Sequence, residues 1–269
     1  MKRLLKADFY RIIKSKLSIA ALIIIVAFVL INNFSYLFLK TLLEEEMGSD
    51  PSMNSLFSAR SFFVQSFSST NNVGVIIPIF TSIIICSDFS SGTLRNKIIS
   101  GHKRRNILLS SFISGATYNV ILVLTYALSN LLLGSLLLGY GTSFDVGQFV
   151  LVLKELFVGC LQYIFISSII VLLAFAFKKV SLTIILQFVV QLVLNGLLII
   201  ASIIQSFDVP SIFKKLNLII PINPVNEMIS QGGVALDNTT VIGGSISMVI
   251  FIIINIVVGI VIFKESDIK

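Results

Sequence analysis

Gln187, Gln191 and Asn195 recur at intervals of four in a stretch that is otherwise apolar from Val180 to Phe207. On a helix that spacing sets three amides along one slanting stripe. Amides at lipid depth must find hydrogen-bond partners in protein or in a wet cavity, so the stripe reads either as a packing seam, including the seam of a dimer, or as one wall of a cargo path. A second concentration of polar chemistry is the segment Asp88–Ile107, where one carboxylate precedes Arg95, Lys97, His102, Lys103, Arg104 and Arg105. Its chemistry is charge display. His102 is the only histidine, and no second histidine or carboxylate pair completes a metal geometry around it. Cys86 and Cys160 both sit in apolar runs, so the two thiols build neither a disulfide framework nor a thiolate cluster. The phosphate-cradling pattern G-x-x-x-x-G-K-[ST] does not occur, so the chain does not bind ATP by that route.

The elements that must position these residues follow from hydropathy. Of 269 residues, 56% are apolar and only 12% charged, about half the charged share of a soluble domain. A bilayer core of about 30 Å needs about 20 apolar residues of helix, and six charge-free intervals qualify: Leu17–Leu39, Val73–Ser87, Ile107–Leu138, Leu156–Phe177, Val180–Phe207 and Val241–Phe263. With the N-terminus inside, the inner segments hold 15 Lys and Arg against 5 outside, which places both termini in the cytoplasm. Glu44, Glu45, Glu46 and Asp50 fall in the first outer loop. The net charge of +7 is thus a topology signal, and no nucleic-acid partner is expected. The first apolar run is long enough to span and lacks an A-x-A-like cleavage site, so it reads as a retained helix.

As drawn, no span carries Asp, Glu, Lys, Arg or His, which disfavours proton- or ion-coupled transport, a charge-ring channel and an intramembrane hydrolase. Asn119, Asn130 and Asn255 are isolated polar residues in the third and sixth spans and read as helix-packing contacts. The second span is only about 22 Å long and must begin earlier. Extending it backwards takes in Ser68, Ser69, Thr70, Asn71 and Asn72, a run that either faces protein or a watery vestibule, or forms a loop dipping below the headgroups. Pro78 should kink this span.

Two segments lie outside the spans. Residues 1–16 contain Leu5, Phe9, Ile12 and Ile13 on one helical face, with Arg3, Arg11 and Lys14 opposite. That is the pattern of an amphipathic interfacial helix, the alternative being a plain basic tail. Within residues 88–106, Gly92 allows a turn, Thr93 is the expected N-cap, Leu94, Ile98 and Ile99 share helical spacing, and Gly101 ends the helix. Two turns of helix are marginal alone, so Leu94 and Ile98 must dock on the membrane surface or on a partner protein. The expected organisation is an all-α membrane protein of one transmembrane domain, 17–263, between the helix 1–16 and a tail 264–269.

The order of Asp88, Gly92, Thr93, Leu94, Gly101 and the cluster Lys103, Arg104, Arg105 resembles the signature of type-2 ABC exporter permeases. Ile220–Met228, with Pro221 and Pro224, resembles that family's re-entrant segment before the last span. Asp88 stands where the family more often has Glu, and Gly101 where Pro is common. The resemblance implies an N-terminal elbow helix and a cytoplasmic coupling helix made by Asp88, Gly92, Thr93, Leu94, Arg95, Asn96, Lys97 and Ile98. It also implies a separate ATPase subunit that carries the ATP and Mg, a second copy or a related permease, and no cofactor or enzyme activity in this chain. Size and composition resemble peptide exporters of Gram-positive bacteria, including those for phenol-soluble modulins. The expected setting is then a bacterial plasma membrane, with membrane lipid around the chain and an apolar, amphipathic or lipid-like cargo such as an antimicrobial or toxin peptide. A non-transporting scaffold anchoring a cytoplasmic partner through residues 88–106 is the rival reading.

Overall fold

A chain this apolar must satisfy its backbone within helices, and it does. The computed structural model describes residues 1–47, 57–70, 73–141, 145–206, 216–230 and 238–265, among which there are eleven helices and no strand. Six are long and apolar enough to cross a membrane: α2 (Lys16–Met47), α4 (Val73–Ser90), α6 (Arg104–Leu137), α7 (Val146–Phe177), α8 (Val180–Ser206) and α11 (Asn238–Glu265). Five are short: α1 (Lys2–Lys14), α3 (Ala59–Gln65), α5 (Thr93–Ile99), α9 (Leu216–Ile219) and α10 (Asn223–Ser230). The expected Asp50 and most of the C-terminal tail lie outside the described residues.

α7 is the central helix and packs against α4, α6, α8 and α11. Near its C-terminal end Phe175 stacks edge-to-face with Phe89 of α4 at 5.1 Å and with Phe263 of α11 at 4.7 Å, a geometry that adds to plain area burial. The isolated asparagines hold helices together as expected. Asn119 accepts from Thr81 of α4 and donates to the Tyr163 carbonyl of α7, 3.4 Å. Asn130 accepts from Asn33 of α2 at 2.9 Å and donates to Ser66 at 3.0 Å. Asn255 donates to Ser168 at 2.9 Å.

Two expectations change. α7 begins at Val146, where Asp145 caps it by accepting from the Val146 amide at 2.7 Å. Lys154 and Glu155 therefore lie within a candidate span rather than in a loop, and the expectation of spans free of charge is corrected. The second correction concerns the approach to α4. Ser58 caps the buried helix α3, whose first amide donates to the Gly139 carbonyl beyond the end of α6, 3.0 Å. From there the chain runs down the inside of the bundle: Ser66 meets Asn130, and the Ser68 carbonyl accepts from the Tyr163 hydroxyl at 3.4 Å. Ser66, Ser68 and Ser69 are buried against protein, the first of the alternatives for this part of the polar run, whereas Thr70 is exposed and Asn71 and Asn72 lie outside the described residues. α4 starts at Val73 and reaches Ser90, about 27 Å, so the descending segment supplies the missing length. α4 continues through Pro78, whose carbonyl accepts from Ser82 Oγ at 2.8 Å.

The N-terminus of α6 lies beside the C-terminus of α11, because Arg104 donates to the Phe263 carbonyl at 2.8 Å. This end also carries α1, α5 and the exposed cations Lys2, Arg3, Lys6, Arg95, Lys103, Arg105 and Lys179. It is the basic end of the bundle.

Candidate functional site

The turn into α5 needs a left-handed residue, and Gly92 supplies it at φ 69°. Gly92 is therefore the N-cap, and Thr93 is the first helical residue, its hydroxyl 2.7 Å from Ser91 Oγ. The expected cap is thus one position late. Burial divides the helix sharply. Leu94 is 2% exposed and belongs to the main core, and Ile98 packs against that core. Leu94 is already committed inside its own chain, which corrects the expectation that it inserts into a partner. The outward face is Arg95, Asn96 and Ile99, the last 72% exposed.

Beneath that face lies a buried ionic network. Lys97 Nζ donates to Asp8 Oδ1 of α1 at 2.6 Å and to Asp88 Oδ2 of α4 at 3.2 Å. Ser110 of α6 donates to the other Asp8 oxygen at 2.5 Å, and Arg11 of α1 pairs with Asp88. Both carboxylates are buried. Burial pushes the Lys97 ammonium below its ordinary value, against the opposing pull of Asp8, and burial likewise lowers Arg11. Asp88 and Lys97 are therefore fasteners that face inward, where sequence reasoning had them as coupling residues without distinguishing inside from outside. Asp8 went unnoticed, although Leu4, Asp8 and Ile12 follow at intervals of four and form the buried face of α1. An acid in an apolar stripe was the available signal. The same geometry turns Ile13 outward, 68% exposed, off the apolar face expected for α1.

At the far side of the bundle the amide stripe turns inward. Gln187 is fully buried and Gln191 is 4% exposed, so neither can form a seam with a second copy. Among the described residues neither end of the Gln187 amide meets a hydrogen-bond partner, nor does Gln191 Nε2. An amide left so costs about 1–3 kcal/mol, a penalty that a water or a rearranged neighbour would remove. Asn195 behaves differently: its Nδ2 donates to the Gln191 carbonyl at 2.9 Å, and its Oδ1 accepts from Asn226 of α10 at 3.5 Å.

α9 and α10 form the short pair that the prolines mark. Pro221 and Pro224 are buried, and the pair packs on α11, with α10 also touching α7. Gly244 makes the approach feasible, since a Cβ there would overlap the Pro224 ring. Ser247, nine residues into α11, donates to the Ile219 carbonyl at 2.5 Å, so the pair reaches well inside the span. Between α8, the pair and α11 lies an open cavity of about 700 Å³. Its walls mix Asn195, Asn226, Glu227 and Thr240 with Leu198 and Leu218, and Glu227 accepts from Thr240 at 3.3 Å.

A second buried ion pair fixes the opposite end. Arg60 of α3 donates to Glu155 of α7 at 2.6 Å, with side chains 5% and 0% exposed. Neither residue carried a sequence signal: Arg60 is a lone cation in a polar stretch, and Glu155 stood at a span boundary. Among the described residues no cluster of His, Cys, Asp and Glu could hold a metal ion.

Among the described residues the chain thus combines six candidate spans, two buried short segments that enter the bundle, and a short helix presented at the basic end. No curated protein matches it. The family model described as "ABC-2 family transporter protein" matches residues 3–268. The chain belongs to the ABC-2 transporter family, as a membrane-spanning permease subunit.

Proposed function

We propose that this permease is the membrane half of an ATP-driven exporter, with its basic end in the cytoplasm and α5 pressed against a separate ATPase subunit that holds ATP and Mg. The observation that carries this reading is the split in α5. Leu94 and Lys97 anchor it to the bundle, while Arg95, Asn96 and Ile99 are left exposed on a helix only seven residues long. A two-turn helix is marginal by itself, so fastening it from beneath makes its outer face a firm surface for a partner to push. The excess of Lys and Arg at this end supports the cytoplasmic orientation.

The cargo we propose is apolar or amphipathic, in the class of hydrophobic, antimicrobial or toxin peptides. Support comes from the cavity of about 700 Å³, where amides and one carboxylate share the walls with leucines. Asn195 lines it and Gln187 and Gln191 do not, so of the stripe only Asn195 is assigned to the cargo path. A pair of permeases, identical or related, would complete the transporter through surfaces other than the stripe.

The test is Ile99→Asp together with Arg95→Glu, in the chain co-expressed with the ATPase it co-purifies with. Both side chains are exposed, so thermal stability should hold while cargo-stimulated ATP hydrolysis is lost. Unchanged ATPase association and unchanged transport would remove α5 from the coupling role. Association with a partner that hydrolyses no ATP would favour the scaffold reading instead.

A further inference from the structure

A second cavity, of about 170 Å³, opens between α1, α2 and α6 at the basic end. Its walls are almost wholly apolar. Its rim is formed by Ile13 of α1, Ile19 and Leu22 of α2, and Ile121 of α6, exposed by 68%, 54%, 39% and 51%. Exposed apolar side chains on two membrane-spanning helices face the bilayer, so the mouth opens sideways into lipid rather than into the bundle. Inside, Ser18 donates to the Ile12 carbonyl at 2.6 Å. The buried Tyr118 hydroxyl lies beside Ser18 and meets no other acceptor among the described residues.

Cations sit on the faces that form this mouth. Lys6 is two turns from Ile13 on the same face of α1, and Lys16 is one turn from Ile19 on the same face of α2. Both are exposed, as is Lys14 between them in sequence. An apolar slot entered from the bilayer beneath several ammonium groups fits one ligand chemistry: an acyl chain below an anionic headgroup. A neutral lipid would use the slot and not the charges, and a soluble anion would use the charges and not the slot.

We infer that this cavity is a binding site for an anionic phospholipid of the leaflet at the basic end. One acyl chain lies in the slot, and the headgroup phosphate is held by Lys6 and Lys16. The site wedges lipid between α1 and the bundle, one turn of α1 beyond Asp8, since Ile12 of the same buried face lines it, so lipid composition would set how firmly α1 docks.

The test uses the full chain in nanodiscs containing equal parts phosphatidylglycerol and phosphatidylcholine of one chain length, with retained lipids counted by native mass spectrometry. The wild type should retain phosphatidylglycerol over phosphatidylcholine by at least ~fivefold, the effect of about one well-placed cation. Lys6→Gln with Lys16→Gln should bring the ratio to about one, and Ile121→Trp, which fills the slot, should remove the retained lipid of either kind. Ile19→Phe, at a half-exposed rim position, repeats the filling test should Ile121→Trp misfold. Equal retention by the wild type, or retention untouched by the filling variants, overturns the site. Loss of a second copy of the chain instead of loss of lipid would assign the face to self-association and overturn it as well. None of these readouts involves the ATPase, so they stand apart from the coupling assignment of α5.

Discussion

Asp8→Asn removes one charge from the buried network at the basic end while leaving its shape almost intact. In the native chain Lys97 Nζ lies 2.6 Å from Asp8 and 3.2 Å from Asp88, and Ser110 closes on the second Asp8 oxygen at 2.5 Å. Deleting one partner of a buried ion pair costs about 3–5 kcal/mol. Here Lys97 keeps Asp88, and the Asn oxygen can still accept, so the expected loss is about 2 kcal/mol, or about thirtyfold in the equilibrium between docked and free α1. Leu4 is 4% exposed on the docked face and can report this opening. With Cys86 and Cys160 replaced, Leu4→Cys should react with a thiol reagent about thirty times faster once Asp8→Asn is added. Adding Lys97→Met leaves Asp88 to Arg11 and removes the poorly matched ammonium, so most of the protection should return. An unchanged labelling rate in Asp8→Asn, or no recovery with Lys97→Met, refutes the idea that this network fastens α1.

Three further outcomes follow from the same geometry. Because burial lowers the Lys97 pKa, the native state releases this proton before the unfolded chain does. The thermal midpoint should therefore rise as pH climbs through the native pKa and level off above the ordinary value of 10.5, and Lys97→Met should abolish the rise. Arg60→Ala leaves a fully buried Glu155 without its cation and should cost about 3–5 kcal/mol in a detergent unfolding titration, most of it recovered when Glu155→Leu is added. Gly244→Ala drives a methyl into the Pro224 ring and should cost about 1–3 kcal/mol by thermal unfolding, whereas Gly196→Ala, which meets open space, should not destabilise.

The spans were legible because twenty apolar residues in a row have one physical reading, and the breaks between them are dense in charge. The boundaries were less so. Lys154 and Glu155 looked like the end of a loop because a span was expected to shed its charges, yet Glu155 is buried by pairing with Arg60, a partner 95 residues away that no local pattern announces. α3 was hidden for a related reason: Ala59–Gln65 contains serine, arginine and glutamine, a composition that lipid would reject and that the inside of a helical bundle accepts. At the other end, periodicity found α5 but not its orientation. Leu94, Ile98 and Ile99 are equally apolar in sequence, and only the position of Lys97 over Asp8 decides that Leu94 points in and Ile99 points out. The amide stripe left a packing seam and a wet path open, and helical spacing alone could not say that Gln187 and Gln191 face the interior of their own chain while Asn195 lines an open cavity.

The two buried ion pairs occupy corresponding places in the design. Each joins an element too short to hold its position by area alone to the long helices at the centre. α3 has seven residues and α5 has seven, and an apolar face of that size can slide along its neighbours with little loss of buried surface. A charge inside the bundle cannot slide, because leaving its partner exposes the full desolvation penalty. Arg60 therefore fixes α3 to α7, and Lys97 fixes α5 to α1 and α4 at once. The arrangement has a mechanical consequence at the basic end. Under the coupling proposed for α5, a push on Ile99 and Arg95 would not be absorbed by bending a two-turn helix. It would pass through Lys97 to Asp8 on α1 and Asp88 on α4, and through Ser110 to α6. Of these, α4 and α6 are long helices of the bundle; α4 packs against α7, which carries Glu155, and α6 against α3, which carries Arg60, so under that coupling a force applied at α5 would reach the frame on which the Arg60–Glu155 pair is mounted.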